Sequence, residues 1–218
     1  MSECGLLIII PAFNESATIS DVIKQAREYG DVIVLDDASS DDTREKALEV
    51  GAKVVSNDTN LGYEKTLGLG FKAAVGNQKY SYLVTLDGDG EHNPDDIPRY
   101  LEKLTSGAQL VCGRRSSKNR FSEEIWGQFG SRVYGIHDPL CGFKGYSLAF
   151  IRKSGISLES NSLGDIIGTK LLKKMLTLKC IHENINIKVS QREGESKFGV
   201  GIRVNFKILA ALVQFLRA

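Results

Sequence analysis

Short apolar runs recur along the chain at Leu6–Ile10, Val32–Leu35, Lys53–Ser56, Tyr82–Leu86 and Leu110–Cys112. Runs of this length, rich in β-branched residues, predict strands buried on both faces, the habit of a parallel sheet. Amphipathic stretches fill the intervals and carry recognisable ends: Ser16 to Tyr29 stopped by Gly30, Asp42 to Val50 stopped by Gly51, and a helix opening near Pro94 and Asp95. Each strand with its following helix is a βα unit, so the expected class is α/β. The rhythm breaks from Ser116 to Gly145, where glycines, basic residues and Trp126 gather. Beyond it, Asn161 to Leu178 predicts a helix and Ile181 to Val189 a strand. The expected organisation is one domain over residues 1–218, with a nucleotide-binding half (1–113) and an elaborated half (114–218).

The last apolar stretch, Phe206 to Leu216, is interrupted by Lys207 and Gln214 and is shorter than the ~20 residues a membrane span needs. On a helical wheel Lys207, Gln214 and Arg217 fall within about 40° of Arg203, opposite Ile208, Leu209, Leu212, Val213, Phe215 and Leu216. That stripe suits a helix lying at a membrane surface, and equally one docked on its own domain. The chain stops at Ala218 without a spanning segment, so any membrane contact is expected to be peripheral or supplied by a partner. Near the N-terminus Glu3 replaces the basic start of a signal peptide, and the apolar run passes straight into Pro11 and Asn14, as a first strand does.

Composition narrows the class further. With 42% hydrophobic and 25% charged residues the chain can bury a large core, which excludes disorder and collagen. Its net charge of +1 offers no field for a polyanion, so a nucleic-acid partner is not expected. Cys4, Cys112, Cys141 and Cys180 are scattered without a CxxC pair, which argues against zinc and for a reducing cytoplasm.

Polar clusters follow three of the strands: Pro11-Ala12-Phe13-Asn14-Glu15, Asp36-Asp37-Ala38-Ser39 and Asp87-Gly88-Asp89-Gly90-Glu91. In an open parallel sheet the strand C-termini share one edge, where ligands bind, so the clusters converge on one crevice. A single Asp after a strand is ordinary turn chemistry. Three carboxylates in five residues repel one another unless a cation sits among them. Oxygen ligands select Mg²⁺ or Mn²⁺, an ion that keeps coordination sites for a diphosphate, so Asp87, Asp89 and Glu91 are candidate metal ligands. His92 belongs to the same loop by position. There is no GxGxxG turn and no GxxxxGK loop, which excludes a dinucleotide dehydrogenase and a P-loop ATPase. Gly68 and Gly70 lie in a helical pattern, where close packing on the sheet is their expected use.

Pro11 to Glu15, the Asp36-Asp37 pair with Ser39, the Asp87-x-Asp89 element and the run Arg192-Glu193-Gly194-Glu195-Ser196-Lys197 together resemble the inverting family 2 glycosyltransferases of the GT-A fold. Within that family the likeness is to the dolichol-phosphate mannose synthases and their bacterial polyprenyl-phosphate relatives. The resemblance runs from Leu6 to Lys197. It implies a Rossmann-like, mostly parallel sheet flanked by helices, an acceptor-side elaboration and a terminal amphipathic helix. By the same resemblance Pro11, Phe13, Glu15, Leu35 and Asp37 hold the base and ribose of a GDP- or UDP-sugar. Asp87, Gly88 and Asp89 meet the diphosphate and metal, with Glu91 where a Gln is common. Arg115, Arg192 and Lys197 contact the phosphates.

Inverting transfer needs in-line attack at the anomeric carbon while a nucleoside diphosphate leaves, so the growing charge must be neutralised by a metal and by Arg192 and Lys197. A polyprenyl phosphate acceptor is already ionised and needs no base, whereas a glycan hydroxyl needs one. Asp138, in Asp138-Pro139-Leu140-Cys141-Gly142-Phe143, is the first candidate carboxylate on the acceptor side and Asp165 the second, with Arg132 beside them. A turn-forming Asp before Pro is the alternative for Asp138. Relatives usually carry a longer segment between the Ser131-Arg132 pair and this element. A sugar-nucleotide pyrophosphorylase would need a glycine-rich basic loop after the first strand, and a non-catalytic sugar-binding protein has no use for the full acidic and basic apparatus.

Overall fold

Seven strands form one sheet, β1 (Leu6–Ala12), β2 (Asp31–Asp36), β3 (Lys53–Ser56), β4 (Tyr82–Thr85), β5 (Leu110–Arg115), β6 (Lys144–Ser147) and β7 (His182–Ile187). This computed structural model describes residues 5–116, 120–156, 167–190, 205, 206, 208–210 and 212. The strand order is β3-β2-β1-β4-β6-β5-β7. Every pairing is parallel except those of β6, which runs against both β4 and β5.

β1 shows why its sequence reads as an unbroken apolar run. Ile8 and Ile10 face one layer of helices, α1 (Ile19–Ala26), α2 (Thr43–Glu49) and α4 (Ile97–Thr105), through Ile19, Ile23, Ala47, Ile97 and Tyr100. Leu7 and Ile9 face the other layer, α3 (Tyr63–Gly76), α6 (Leu148–Ser154) and α7 (Ile167–Thr177), through Leu67, Phe71, Leu148, Leu171 and Met175. With helices on both faces neither side of the strand meets water, and polar alternation has no place.

The sheet is mostly parallel, as expected, with the short β6 inserted antiparallel between β4 and β5. Two expectations change. Lys53–Ser56 is the sheet edge rather than a strand buried on both faces, since Lys53, Val55 and Ser56 are exposed. The irregular stretch from Ser116 to Gly145 contains the 14-residue helix α5 (Phe121–Tyr134), ended by Gly135 in the left-handed region (φ 71°). Gly127 and Gly130 lower the helix propensity of that segment and hide it from pattern reading. Gly130 is there because Pro139 and the Ile136 carbonyl occupy the space a Cβ would take.

The C-terminal segment answers the question its apolar face raised. Trp126 Nε1 donates to the Ile208 carbonyl at 2.9 Å, Ser122 N donates to Asn205 Oδ1 at 3.1 Å, and Leu212 is 9% exposed against Trp126. Ile208 and Leu212 are therefore docked on α5, while Phe206 is 68% exposed. Arg203, Lys207, Gln214 and Arg217 lie outside the described residues. Among the described residues no helix is long and apolar enough to cross a membrane.

Gly70 bears out the packing expectation, for an added Cβ would lie 2.6 Å from Leu35 Cδ1 and 2.9 Å from Ile9 Cδ1. Gly70→Ala is expected to push α3 off the sheet and lower stability by about 1–3 kcal/mol despite the better helix propensity of Ala, read as a shift in the urea midpoint.

Candidate active site

Four segments meet at the C-terminal edge of the parallel strands, on either side of the β1/β4 junction. Residues 13–18 follow β1, residues 37–43 follow β2 and residues 86–92 follow β4. Because β6 is reversed, the segment before it, Asp138 to Phe143, arrives at the same edge. The sequence clusters thus converge as the strand pattern implied, and the fourth segment comes from the stretch that pattern reading left irregular.

The loops are cross-linked by their own polar atoms. Asn14 sits in the left-handed region (φ 54°); its N–H donates to Ser39 Oγ at 2.9 Å and its side-chain oxygen accepts from Ser40 N at 2.7 Å. Glu15 N donates to Thr43 Oγ1 at 2.7 Å, and Thr18 Oγ1 donates to the Gly88 carbonyl at 2.7 Å. Pro11 and Leu35 face each other across β1 and β2 and are buried, while Phe13 and Glu15 are half-buried at the edge. Ser190 N donates to the Glu91 carbonyl at 2.9 Å, and His92 bridges Val189 in antiparallel fashion. The chain leading to Arg192 is thereby pinned to the acidic loop two residues before that arginine. Arg192, Lys197 and Asp165 themselves lie outside the described residues.

The acidic residues divide by what they accept. Asp37 Oδ1 takes Asn57 Nδ2 and Leu61 N, and Oδ2 takes Gly62 N, each at 2.8 Å. Burial opposes its charge, yet the donors from Leu61, Asn57, Thr66 and Gly62 prevail, and the carboxyl titrates below its ordinary range. Its lone-pair sites are thus spent on holding the segment from 57 to 62, with Thr66 adding to them.

Asp138 is 1% exposed and takes a two-pronged grip from Arg115, Nε to Oδ2 at 2.7 Å and Nη2 to Oδ1 at 3.0 Å. Glu123 lies 3.5 Å from the same guanidinium and also pairs with Arg120 at 2.5 Å. Arg115 and Asp138, expected on the phosphates and on the acceptor, are here each other's partners. Arg132 stands exposed on α5, its guanidinium 3.5 Å from Gln128 Oε1.

Asp87 is different: Tyr63 OH donates to Oδ1 at 2.9 Å, His92 Nδ1 lies 3.7 Å from Oδ2, and 25% of the side chain stays exposed. Gly142 lies so close that any Cβ there would overlap the Asp87 carboxylate. Burial, reinforced by the Asp87 charge, raises the Tyr63 phenol well above its usual range, so it acts as a donor. Burial pushes His92 down against the pull of Asp87 and Asp89, which favours the neutral ring. Asp89 Oδ1 accepts from Glu91 N at 3.1 Å and shapes a turn in which Gly90 has φ 73°. Among the described residues no three His, Cys, Asp or Glu side chains converge on one point. Asp87 turns toward Tyr63 and His92 while Asp89 serves its own turn, so the expected cage of Asp87, Asp89 and Glu91 is not formed. The set still fits a hard divalent ion held by one or two carboxylates and completed by substrate phosphates, the usual habit of Mg²⁺. Sequence reading placed His92 in this loop but missed Tyr63 and Gly142; an aromatic opening a helix and a glycine before Phe carry no distinguishing signal of their own.

Residues 7–163 match the description "Glycosyl transferase family 2", and the chain belongs to that family of sugar-transferring enzymes. It is 30% identical over 203 residues to an uncharacterised protein, MJ0544, of Methanocaldococcus jannaschii, covering 84% of this chain and 87% of that protein. It is 27% identical over 215 residues to the dolichol-phosphate mannosyltransferase of Pyrococcus furiosus, covering 87% of this chain but only 58% of that enzyme. The fold is that of GT-A glycosyltransferases. It superimposes with a TM-score of 0.76 on glucosyl-3-phosphoglycerate synthase of Mycobacterium tuberculosis, solved with Mn²⁺, UDP and phosphoglyceric acid, at 21% identity over 98% of this chain and 79% of that one.

Two outcomes are expected from the committed carboxylates. Asp138→Asn leaves the buried Arg115 with Glu123 alone and should cost about 3 kcal/mol in urea unfolding. Asp37 has a depressed carboxyl pKa in the folded state, so its stabilisation is present above the unfolded value near 3.9 and is lost as pH falls through the folded one. Asp37→Asn should therefore flatten the decline of stability below about pH 4 in an acid titration followed by circular dichroism.

Proposed function

We propose that this protein transfers a sugar, with inversion and with help from Mg²⁺ or Mn²⁺, from a GDP- or UDP-sugar to a polyprenyl phosphate at the cytoplasmic face of a membrane. The observation that carries the reading is Asp87: a partly exposed carboxylate at the β1/β4 junction, backed by Tyr63 and His92, with Gly142 cleared away beneath it. The name of the Pyrococcus relative supports the lipid phosphate, and the Mn²⁺ and UDP of the Mycobacterium neighbour support the donor and metal.

In this reading Pro11, Phe13, Glu15 and Leu35 receive the base and ribose, and Asp87 with Asp89 orients the diphosphate. A bound divalent cation supplies charge neutralisation as the nucleoside diphosphate departs. Arg192 and Lys197 add positive charge to the leaving oxygens. Asp138 is held by Arg115 and is not available as a base. An acceptor whose oxygen is ionised beforehand needs no replacement for this first-choice base, whereas a glycan hydroxyl would need another carboxylate such as Asp165.

Turnover of a panel of GDP- and UDP-sugars with a polyprenyl phosphate, with and without EDTA, tests the reading. Transfer should be lost in EDTA and in Asp89→Ala, with the fold of that variant intact. Arg192→Ala and Lys197→Ala should each lower kcat by about 10²–10³ with a smaller change in KM, because the charge they meet grows in the transition state. Full activity in EDTA, or turnover only with a soluble glycan, would overturn it.

A further inference from the structure

His92 Nδ1 is a buried polar atom that lacks a hydrogen-bond partner, and it faces Asp87 Oδ2 at 3.7 Å. The residue is 4% exposed and cannot swing away. Its ring lies 5.5 Å from that of Phe143, Cys141 Sγ is 3.8 Å from Nε2, and its backbone is bridged to Val189. Cys141 Sγ lies equally far from the Phe143 carbonyl, at 3.8 Å, and the Asp87 carboxylate facing Nδ1 can only accept, which favours the tautomer with the imidazole proton on Nδ1. On the far side of the carboxylate, Tyr63 OH already holds Oδ1 at 2.9 Å. Gly142 closes the remaining side without a Cβ.

We propose that Tyr63 and His92 are positioning residues for the cation of the donor complex: Tyr63 holds Oδ1 of Asp87 and His92 faces Oδ2, so the carboxylate is left only a small rotation to make when the ion and diphosphate arrive. The inference rests on the function proposed above and names the groups that set its acidic ligand. The Nδ1 to Oδ2 separation exceeds hydrogen-bond range by about 0.5 Å, a gap that a small rotation of the carboxylate closes when a cation draws it. Donors behind a metal-binding carboxylate restrict its orientation, and their loss typically weakens metal binding about 10–100-fold.

The test is Mn²⁺ titration followed by the electron paramagnetic resonance signal of the free ion, with GDP and with UDP present in turn. His92→Leu and Tyr63→Phe should each weaken Mn²⁺ binding at least about tenfold. His92→Asn, whose amide can place a donor near the Nδ1 position, should return to within about threefold of wild type. In turnover, the Mn²⁺ concentration for half-maximal rate should rise in the first two variants, while kcat at saturating Mn²⁺ changes less. Wild-type affinity in both His92→Leu and Tyr63→Phe overturns the positioning role and leaves the proposed function standing. A wild-type protein that binds no Mn²⁺ with either nucleotide overturns the proposed function itself. Should His92→Leu fail to fold, Tyr63→Phe, which removes one hydroxyl, decides on the same criterion.

Discussion

Strand β6 lies between β4 and β5 with its direction reversed, so its first residue sits where the parallel strands end. Lys144 is registered against Thr85 on one side and Cys112 on the other. Thr85 Oγ1 donates to the Gly142 carbonyl at 2.6 Å and accepts from Lys144 N at 3.3 Å, which locks the incoming chain to the last residue of β4. Two residues past Thr85 stands Asp87, and the locked chain passes beneath it. A parallel strand in that slot would have delivered its C-terminus there instead, and Gly142, Cys141 and Asp138 would lie at the opposite edge of the sheet.

The same delivery separates the carboxylates into two kinds. Asp138 meets Arg115, which emerges at the end of β5, and both charges are satisfied inside the protein. Asp37 meets a backbone turn whose N–H groups fill its lone pairs. Each of these is buried and has few sites left for a ligand. Asp87 keeps a quarter of its surface and has one donor at hydrogen-bond distance, with a second within reach. A carboxylate with coordination to spare at a sheet edge is what a substrate-borne cation requires. A buried and saturated one stabilises the scaffold around it.

The cross-links among loops extend this division to the C-terminal half. Thr18 ties the first loop to Gly88, and the Ser190 and Val189 contacts tie the chain beyond β7 to Glu91 and His92. The acidic loop is therefore braced from both halves of the sequence. On the outer side of α5 a separate contact, Trp126 with Ile208 and Leu212, fastens the C-terminal segment and takes up apolar surface that the helical wheel alone left open to lipid.

Hydrophobic spacing by itself determined the βα units, the edge at which the polar clusters meet and the acidic character of the β4 loop, because burial on two faces and strand-to-helix alternation leave a one-dimensional trace. The order of motifs carried the family. Tertiary structure alone decided the reversed β6, helix α5, the exposed edge position of β3, the pairing of Asp138 with Arg115, and the meeting of Tyr63, Gly142 and His92 around Asp87. Apart from α5, whose glycines mask its helical pattern, and the His92 contact five positions from Asp87, these depend on residues 23 to 57 positions apart or on which neighbour a strand finds, and so leave no local periodicity. A lone Asp before Pro reads the same in sequence whether it turns a chain, removes a proton or neutralises an arginine; the partner that arrives in space selects among the three.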